Sequence, residues 1–168
     1  AELSIQDNPV IFDDHLFFHF EVFDHISVWQ IYESSAGVYL PAVYAADPFF
    51  KVNSSSATRL NYAELGKAGL VLLDGLTDYS SGLQLELDKF IQNGGSVLIF
   101  PSASAATQPQ NFASFVQSFS IPASVQITRT NEKIHQIDTR SDLLKLVFEK
   151  VPENMDLPTV SMYISLGA

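Results

Sequence analysis

Residues 70–102 read LVLLDGLTDYSSGLQLELDKFIQNGGSVLIFPS, and this stretch decides the architecture. Leu70 to Asp74 is apolar up to its terminal carboxylate, the pattern of a strand covered on both faces. Ser81, with Gln84 three residues on, is placed to cap a helix. Leu83, Leu87, Phe90 and Ile91 then recur at i, i+4, i+7 and i+8, which predicts one buried helical stripe. Gly94-Gly95 supplies a residue suited to the left-handed position that closes a helix. Val97 to Phe100 follows as a second apolar strand, expected to be central, and Pro101 ends it. Strand, helix and strand in this order form one crossover of a parallel sheet.

Upstream, alternation from Leu16 to Phe23 places Leu16, Phe18, Phe20 and Val22 on one face and Phe17, His19, Glu21 and Phe23 on the other, a strand with two partly buried faces. Leu3-Ser4-Ile5 and Val10-Ile11-Phe12 flank the turn-prone Asp7-Asn8-Pro9, so residues 1–23 are expected to form a small antiparallel β unit. After Asp24 the pattern changes to alternating strands and helices. Ser27 to Tyr32 predicts the first parallel strand. A helix over 37–46, or one beginning at Pro41, comes next, then a short strand over Phe49–Val52 and a polar loop over 54–58. Asn61 and Glu64 have capping-box spacing for a short helix before Leu70.

Downstream, a small-residue loop over 102–109 leads to Phe112, Phe115, Val116 and Phe119 at helical spacing. Ile121 to Thr128 is expected as an edge strand, Leu143 to Phe148 as an apolar segment packing back on the sheet, and Met162 to Leu166 as the first strand of a following region. The resulting division is a β annex over 1–24, an α/β domain over 25–130 and a C-terminal extension over 131–168. The expected fold class is a three-layer α/β parallel sheet with an N-terminal antiparallel β annex.

Composition narrows the function classes. A chain of 168 residues can bury about two thirds of its unfolded surface. With 46% hydrophobic residues, 13 Phe and 6 Tyr, disorder is excluded as its general state. A net charge of -10 on only 9 Lys plus Arg repels phosphate backbones and anionic lipid, so nucleic acid is excluded as a partner. The absence of cysteine removes disulfides, thiolate metal sites and a cysteine nucleophile, and leaves the redox compartment open. No apolar run reaches the roughly 18 residues that span a bilayer, and AELSIQDNP has neither the basic nor the apolar region of a signal peptide. The missing initiator Met and the strand-like end MYISLGA lead us to expect a piece of a longer protein.

Open parallel sheets bind ligands beyond the carboxyl ends of their strands. The loops following Tyr32, Asp74 and Phe100 supply Glu33, Ser34, Ser35, Asp74, Thr77, Asp78, Ser102 and Ser104. Acyl transfer would require a nucleophile on a tight turn, a histidine within reach and an oxyanion hole. The third loop reads PSASAAT and not G-x-S-x-G or G-x-C-x-G, and none of these loops holds a histidine. Ser102 is the nucleophile candidate by position alone, and a solvated loop serine is the simpler account of it. Asp74 before Gly75 can bind a ligand or cap the next turn, and capping is favoured. Ser34, Asp74, Thr77 and Ser102 are the candidate ligand-binding set; no catalytic residue, metal ligand or cofactor is assigned.

His15 and His19 lie four residues apart beside Asp13 and Asp14, but on a strand that spacing is about 13 Å, too far to share an ion. His25 and His135 are isolated, each a surface or hydrogen-bonded core residue. Neither G-x-G-x-x-G nor a P-loop is present, and Gly94-Gly95 follows its helix and does not open one, so nucleotide binding is unsupported. The aromatic residues, Trp29 included, fall mostly at core-periodic positions and do not suggest a sugar platform.

The segment GLVLLDGLTDYSSGLQLELDKFIQNGGSVLIFPS resembles the core of glutamine-amidotransferase-like, flavodoxin-like domains. There a strand ending in aspartate precedes a helix closing on F-(I/V)-x-x-G-G and a strand leading to the nucleophile. More specifically, DNPVIFDDHLFFHFEV with VWQIY and DPFF resembles the large soluble region of Bacteroidetes membrane proteins of the aerotolerance (Bat) type, which carry an N-terminal double-transmembrane domain. The resemblance covers roughly residues 5–122. It implies a flavodoxin-like domain on the periplasmic side, anchored by segments outside this chain. The elbow cysteine of active amidotransferases would fall near Ser102, and its absence argues against carrying over their glutaminase activity. The expectation is a non-catalytic interaction domain of a cell-envelope protein with another protein as partner. The alternatives are a small polar-ligand or sugar-binding module at the strand ends and a degenerate hydrolase.

Overall fold

The computed structural model describes residues 1–5, 14–20, 22–102, 109–121, 124–142, 144, 151 and 155–167. Two short strands, β1 (Glu2–Ser4) and β2 (His15–Phe17), pair antiparallel with Leu3 opposite Leu16. The expected β annex is therefore a two-stranded ribbon, but its strand stops at Phe17 and neither of its faces is buried. Phe17, Phe18, Phe20, Val22 and Phe23 are all exposed, because no second layer lies against this ribbon among the described residues. Val10 to Phe12 lie outside the described residues.

The body is a four-stranded parallel sheet. β3 (Ile26–Tyr32) is followed by α1 (Tyr39–Ala45), β4 (Phe50–Ser56), a 3-10 turn over Ala57–Arg59, α2 (Tyr62–Leu65), β5 (Leu70–Asp74), α3 (Ser81–Gln92) and β6 (Ser96–Phe100). The strands lie in the order β4-β3-β5-β6. The chain thus steps outward once from β3, then crosses it and continues in the other direction. Every pairing in this sheet is parallel and in continuous register.

Sequence alternation assigns the two faces. Trp29, Ile31, Val71, Leu73, Val97 and Ile99 pack with Leu65 of α2, Leu83, Leu87 and Phe90 of α3, and Phe112, Phe115 and Val116 of α4 (Pro109–Gln117). On the opposite face α1 lies over β4, with Tyr44 edge-on to Phe50 at 5.5 Å between ring centroids. Helices on both faces explain why Val71, Leu72 and Leu73 are each fully buried, as three consecutive apolar residues require.

Several local expectations are corrected. Ser54 to Ser56 belong to β4 and not to a loop, since the parallel ladder pairs them with Gln30, Ile31 and Tyr32 and outweighs their polar composition. Helix α1 begins at Tyr39, two residues before Pro41, whose missing N–H falls in the first turn where no intrahelical acceptor exists. Asn61 caps α2 by accepting from the Ala63 amide, but Glu64 pairs with Lys67 instead of reaching back. The α3 cap is Ser80, not Ser81: its hydroxyl accepts from the Leu83 amide, and Gln84 donates to the Tyr79 carbonyl. Ile91 is exposed, one step past the stripe centred on Leu87.

Gly94 has φ +88. Its amide donates to the Ile91 carbonyl and that of Gly95 to the Phe90 carbonyl, the paired bonds that close a helix through a left-handed residue. β6 is the margin of the sheet among the described residues, not a central strand, so Leu98 and Phe100 on its α1-side face stay exposed. The expected edge strand over 121–128 is instead β7 (Ser124–Lys133), paired antiparallel with β8 (Thr159–Gly167) in a separate ribbon that absorbs Met162 to Leu166. The antiparallel pairing with β8 gives β7 a long ladder of its own, from Ser124 opposite Gly167 to Lys133 opposite Thr159. Apart from Leu144, the segment 143–148 lies outside the described residues.

Candidate functional site at the strand carboxyl ends

The reversal between β3 and β5 brings two loops together where both strands end. At their centre lies Gln30, fully buried on a strand of otherwise apolar neighbours. Its amide nitrogen donates to Asp74 Oδ2 at 2.6 Å and to the Gly37 carbonyl at 3.0 Å. Its carbonyl oxygen accepts from the Ser54 hydroxyl at 2.8 Å. The Gly37 amide also donates to Asp74 Oδ2, at 3.0 Å. A buried amide makes all three bonds available here, so its desolvation is repaid. Glycine at position 37 lets the loop approach this carboxylate: a Cβ there would sit 2.6 Å from Asp74 Oδ2 and would force the carboxylate to shift.

Asp74 thus fastens the loop after β3 to the end of β5, which corrects the expectation that it caps the turn that follows. That turn is shaped by Gly75, at φ +66, whose amide donates to the Phe100 carbonyl. A second clasp lies further out: the Thr77 amide donates to Glu33 Oε2 at 2.9 Å and its hydroxyl donates to the same carboxylate. Thr77 and Asp74 are therefore both at the strand ends as expected, yet each is engaged inside the fold.

Beside the Glu33–Thr77 clasp is a cleft of about 420 Å³ lined by Glu33, Ala57, Thr58, Asp78, Ser80 and Leu83. Tyr79, next in sequence to the cleft-lining Asp78 and Ser80, is buried in the core, stacked on Phe115 with 4.0 Å between ring centroids and donating to the Leu76 carbonyl. Burial, reinforced by the negative charge of Glu33, pushes the Tyr79 phenol up to about 12. The phenol is therefore a neutral donor at physiological pH.

Ser34 is exposed on the β3 loop and Ser102 is half-buried two residues after β6. Neither lines the cleft, and Ser104 lies outside the described residues. His25 immediately precedes β3 and so stands at the other end of the sheet, about 20 Å from the strand carboxyl ends at the usual strand rise. It lines a separate hollow with Phe23, Lys67 and Gly69. His15 is held by Glu2 at 2.8 Å on the ribbon. Among the described residues no three His, Cys, Asp or Glu side chains form a group able to hold a metal ion. No described helix is long and apolar enough to cross a membrane.

Gln30 was not among the sequence candidates. Its signal was there: a lone amide in SVWQIY, on a strand expected to be buried, needs partners of its own. Thr58 and Ser80 were missed because one was assigned to a loop and the other lay a residue from the expected cap. Among known proteins, the chain matches no family model and no curated protein.

Proposed function

We propose that this chain is a flavodoxin-like α/β domain of the amidotransferase-like type that acts as a non-catalytic interaction module of a membrane-anchored cell-envelope protein. Counting only the parallel strands, their order is 2-1-3-4, which agrees with the start of the flavodoxin-like order. The observation that carries the functional reading is the state of the strand ends. The two carboxylates best placed to act on a ligand, Asp74 and Glu33, are bonded to Gln30, Gly37 and Thr77, so they hold loops in place. The sequences of the loops after β3, β5 and β6 contain no histidine, the usual general base for a serine nucleophile. Anchoring and the periplasmic side follow from the sequence resemblance alone.

The purified chain should turn over neither glutamine nor p-nitrophenyl esters above the buffer rate. Turnover that disappears in Ser102→Ala would sink the proposal.

The cleft beside Glu33 supports a second reading, a module for a small polyhydroxylated or cationic ligand. Thr58, Ser80 and Asp78 offer two hydroxyls and a carboxylate around one opening, beside the Glu33 carboxylate that Thr77 holds. A ligand at 100 times its dissociation constant adds about 2.7 kcal/mol of stability. A thermal-shift screen of sugars and polyamines that moves the midpoint in the native chain, but not in Asp78→Ala, would favour this second reading.

A further inference from the structure

Asn93 follows the last residue of α3 and precedes Gly94-Gly95; no other asparagine of the chain stands before a glycine. A side-chain amide reacts most readily with the next backbone nitrogen when that residue is glycine, which puts no side chain in the way. The structure leaves these groups open to water. Asn93 and Gly94 are both exposed, and the Asn93 carboxamide makes no hydrogen bond to the described residues.

Two features hold the reaction back while the turn is closed. The Gly94 amide donates to the Ile91 carbonyl at 2.9 Å, so its nitrogen is not free to act as a nucleophile. Closing the cyclic imide also needs that nitrogen nearly eclipsed with Cβ, and the Asn93 ψ of 11 turns it away. Both restraints are released when the last turn opens. Its residues favour opening, since Gln92, Asn93 and Gly94 are exposed and Ile91 is 40% exposed, and fraying ends open far below the global unfolding free energy. Asp74-Gly75, the chain's single Asp-Gly pair, offers the same ring chemistry by loss of water. There the carboxylate accepts from Gln30 and Gly37, and the Gly75 amide donates to the Phe100 carbonyl, so reaction requires breaking the buried Gln30 network.

We propose that Asn93 is a site of spontaneous deamidation, gated by opening of the last turn of α3. In the open turn the Gly94 nitrogen gives up its proton to solvent and bonds to Asn93 Cγ. The Cγ–Nδ2 bond breaks and ammonia leaves, taking a proton from water. A water molecule then opens the imide. Attack at Cγ leaves aspartate in the ordinary chain, and attack at the backbone carbonyl leaves isoaspartate, with the main chain rerouted through Cβ and Cγ. Either product adds negative charge at the negative end of the helix dipole. Isoaspartate also lengthens the chain just before Gly95, which presses on Phe90 so closely that a Cβ there would overlap the ring. Modification loosens this contact with a core residue. The inference does not depend on the interaction-module reading.

The test keeps the whole chain folded in mildly alkaline buffer for days, beside a sample unfolded in urea. Peptides covering each asparagine are read by mass spectrometry with fragmentation that separates isoaspartate from aspartate. In the folded sample Asn93 should be the first asparagine converted, with isoaspartate the larger product, at a rate at least about tenfold below that of the unfolded sample. Gly95→Ala, whose methyl overlaps the Phe90 ring, should open the turn and raise the folded rate several-fold. Asn93→Gln should remove the first acidic species seen on ion exchange. An Asn93 left intact in the folded chain, another asparagine converting first, or isoaspartate at Asp74 as early as at Asn93 overturns the inference. So do equal rates in the folded and unfolded samples, or a Gly95→Ala chain that is folded by circular dichroism and reacts at the native rate. If that variant does not fold, the ratio of native to unfolded rates decides.

Discussion

Gln30 shows how much depends on one buried amide. All its bonds run to groups from three different elements, so truncation leaves Asp74 and Ser54 without their partner. Gln30→Ala should cost about 2–4 kcal/mol in urea unfolding, from lost packing and unpaired polar groups together. Gly37→Ala attacks the same network from the loop side, because the added methyl displaces the Asp74 carboxylate from Gln30. It should destabilise by about 1–3 kcal/mol while leaving the circular dichroism of the helices intact. Tyr79 gives a pH signature. Its phenol is pushed up to about 12 from an ordinary value of 10.0, so the folded state holds the proton more tightly than the unfolded chain. The associated stability is complete below pH 10 and is lost as pH rises from there towards 12. Tyr79→Phe should flatten that alkaline decline in a series of denaturation midpoints.

Helix α3 and the strands around it were the most legible elements, because the apolar period and the glycine stop agree there and the expected cap lies one residue from the actual one. Ser80→Ala should cost about 1 kcal/mol by removing the cap, and Gly94→Ala about as much again by forcing a methyl-bearing residue to φ +88. Leu87→Ala, at the centre of the buried stripe, should cost about 3 kcal/mol. All three are read as shifts in urea midpoint at constant slope. Less was legible where pairing overrides composition. Ser54 to Ser56 look like a loop, yet they complete β4 because β3 offers them a full parallel ladder. The cap moved from Ser81 to Ser80 since adjacent serines give the same local signal, and only the path of the chain selects one. Asp74 was found as a strand-end carboxylate, but its partners lie 44 and 37 residues away, which no local pattern reveals. The ribbon of β7 and β8 was hidden for the same reason: its strands are far apart in sequence, so one resembled an edge strand of the sheet and the other the first strand of a following region.

Across the whole molecule, order should follow burial. Backbone amides of Leu72 and Leu73, central in the sheet and covered on both faces, should be the last to exchange in deuterated water, close to the global unfolding free energy. Amides of the β1–β2 ribbon should exchange orders of magnitude sooner; equal protection would mean that the ribbon is a structural part of the body. Among the described residues, the two flanks of the parallel sheet also differ. The β4 side presents Lys51, Asn53 and Ser54 to solvent, whereas the β6 side presents Leu98 and Phe100. An assembly that grew strand by strand would have to join one flank to its unlike counterpart, greasy against hydrophilic. Sticking of like to like at the greasy flank closes on itself after two molecules, so crowding should yield pairs and not filaments.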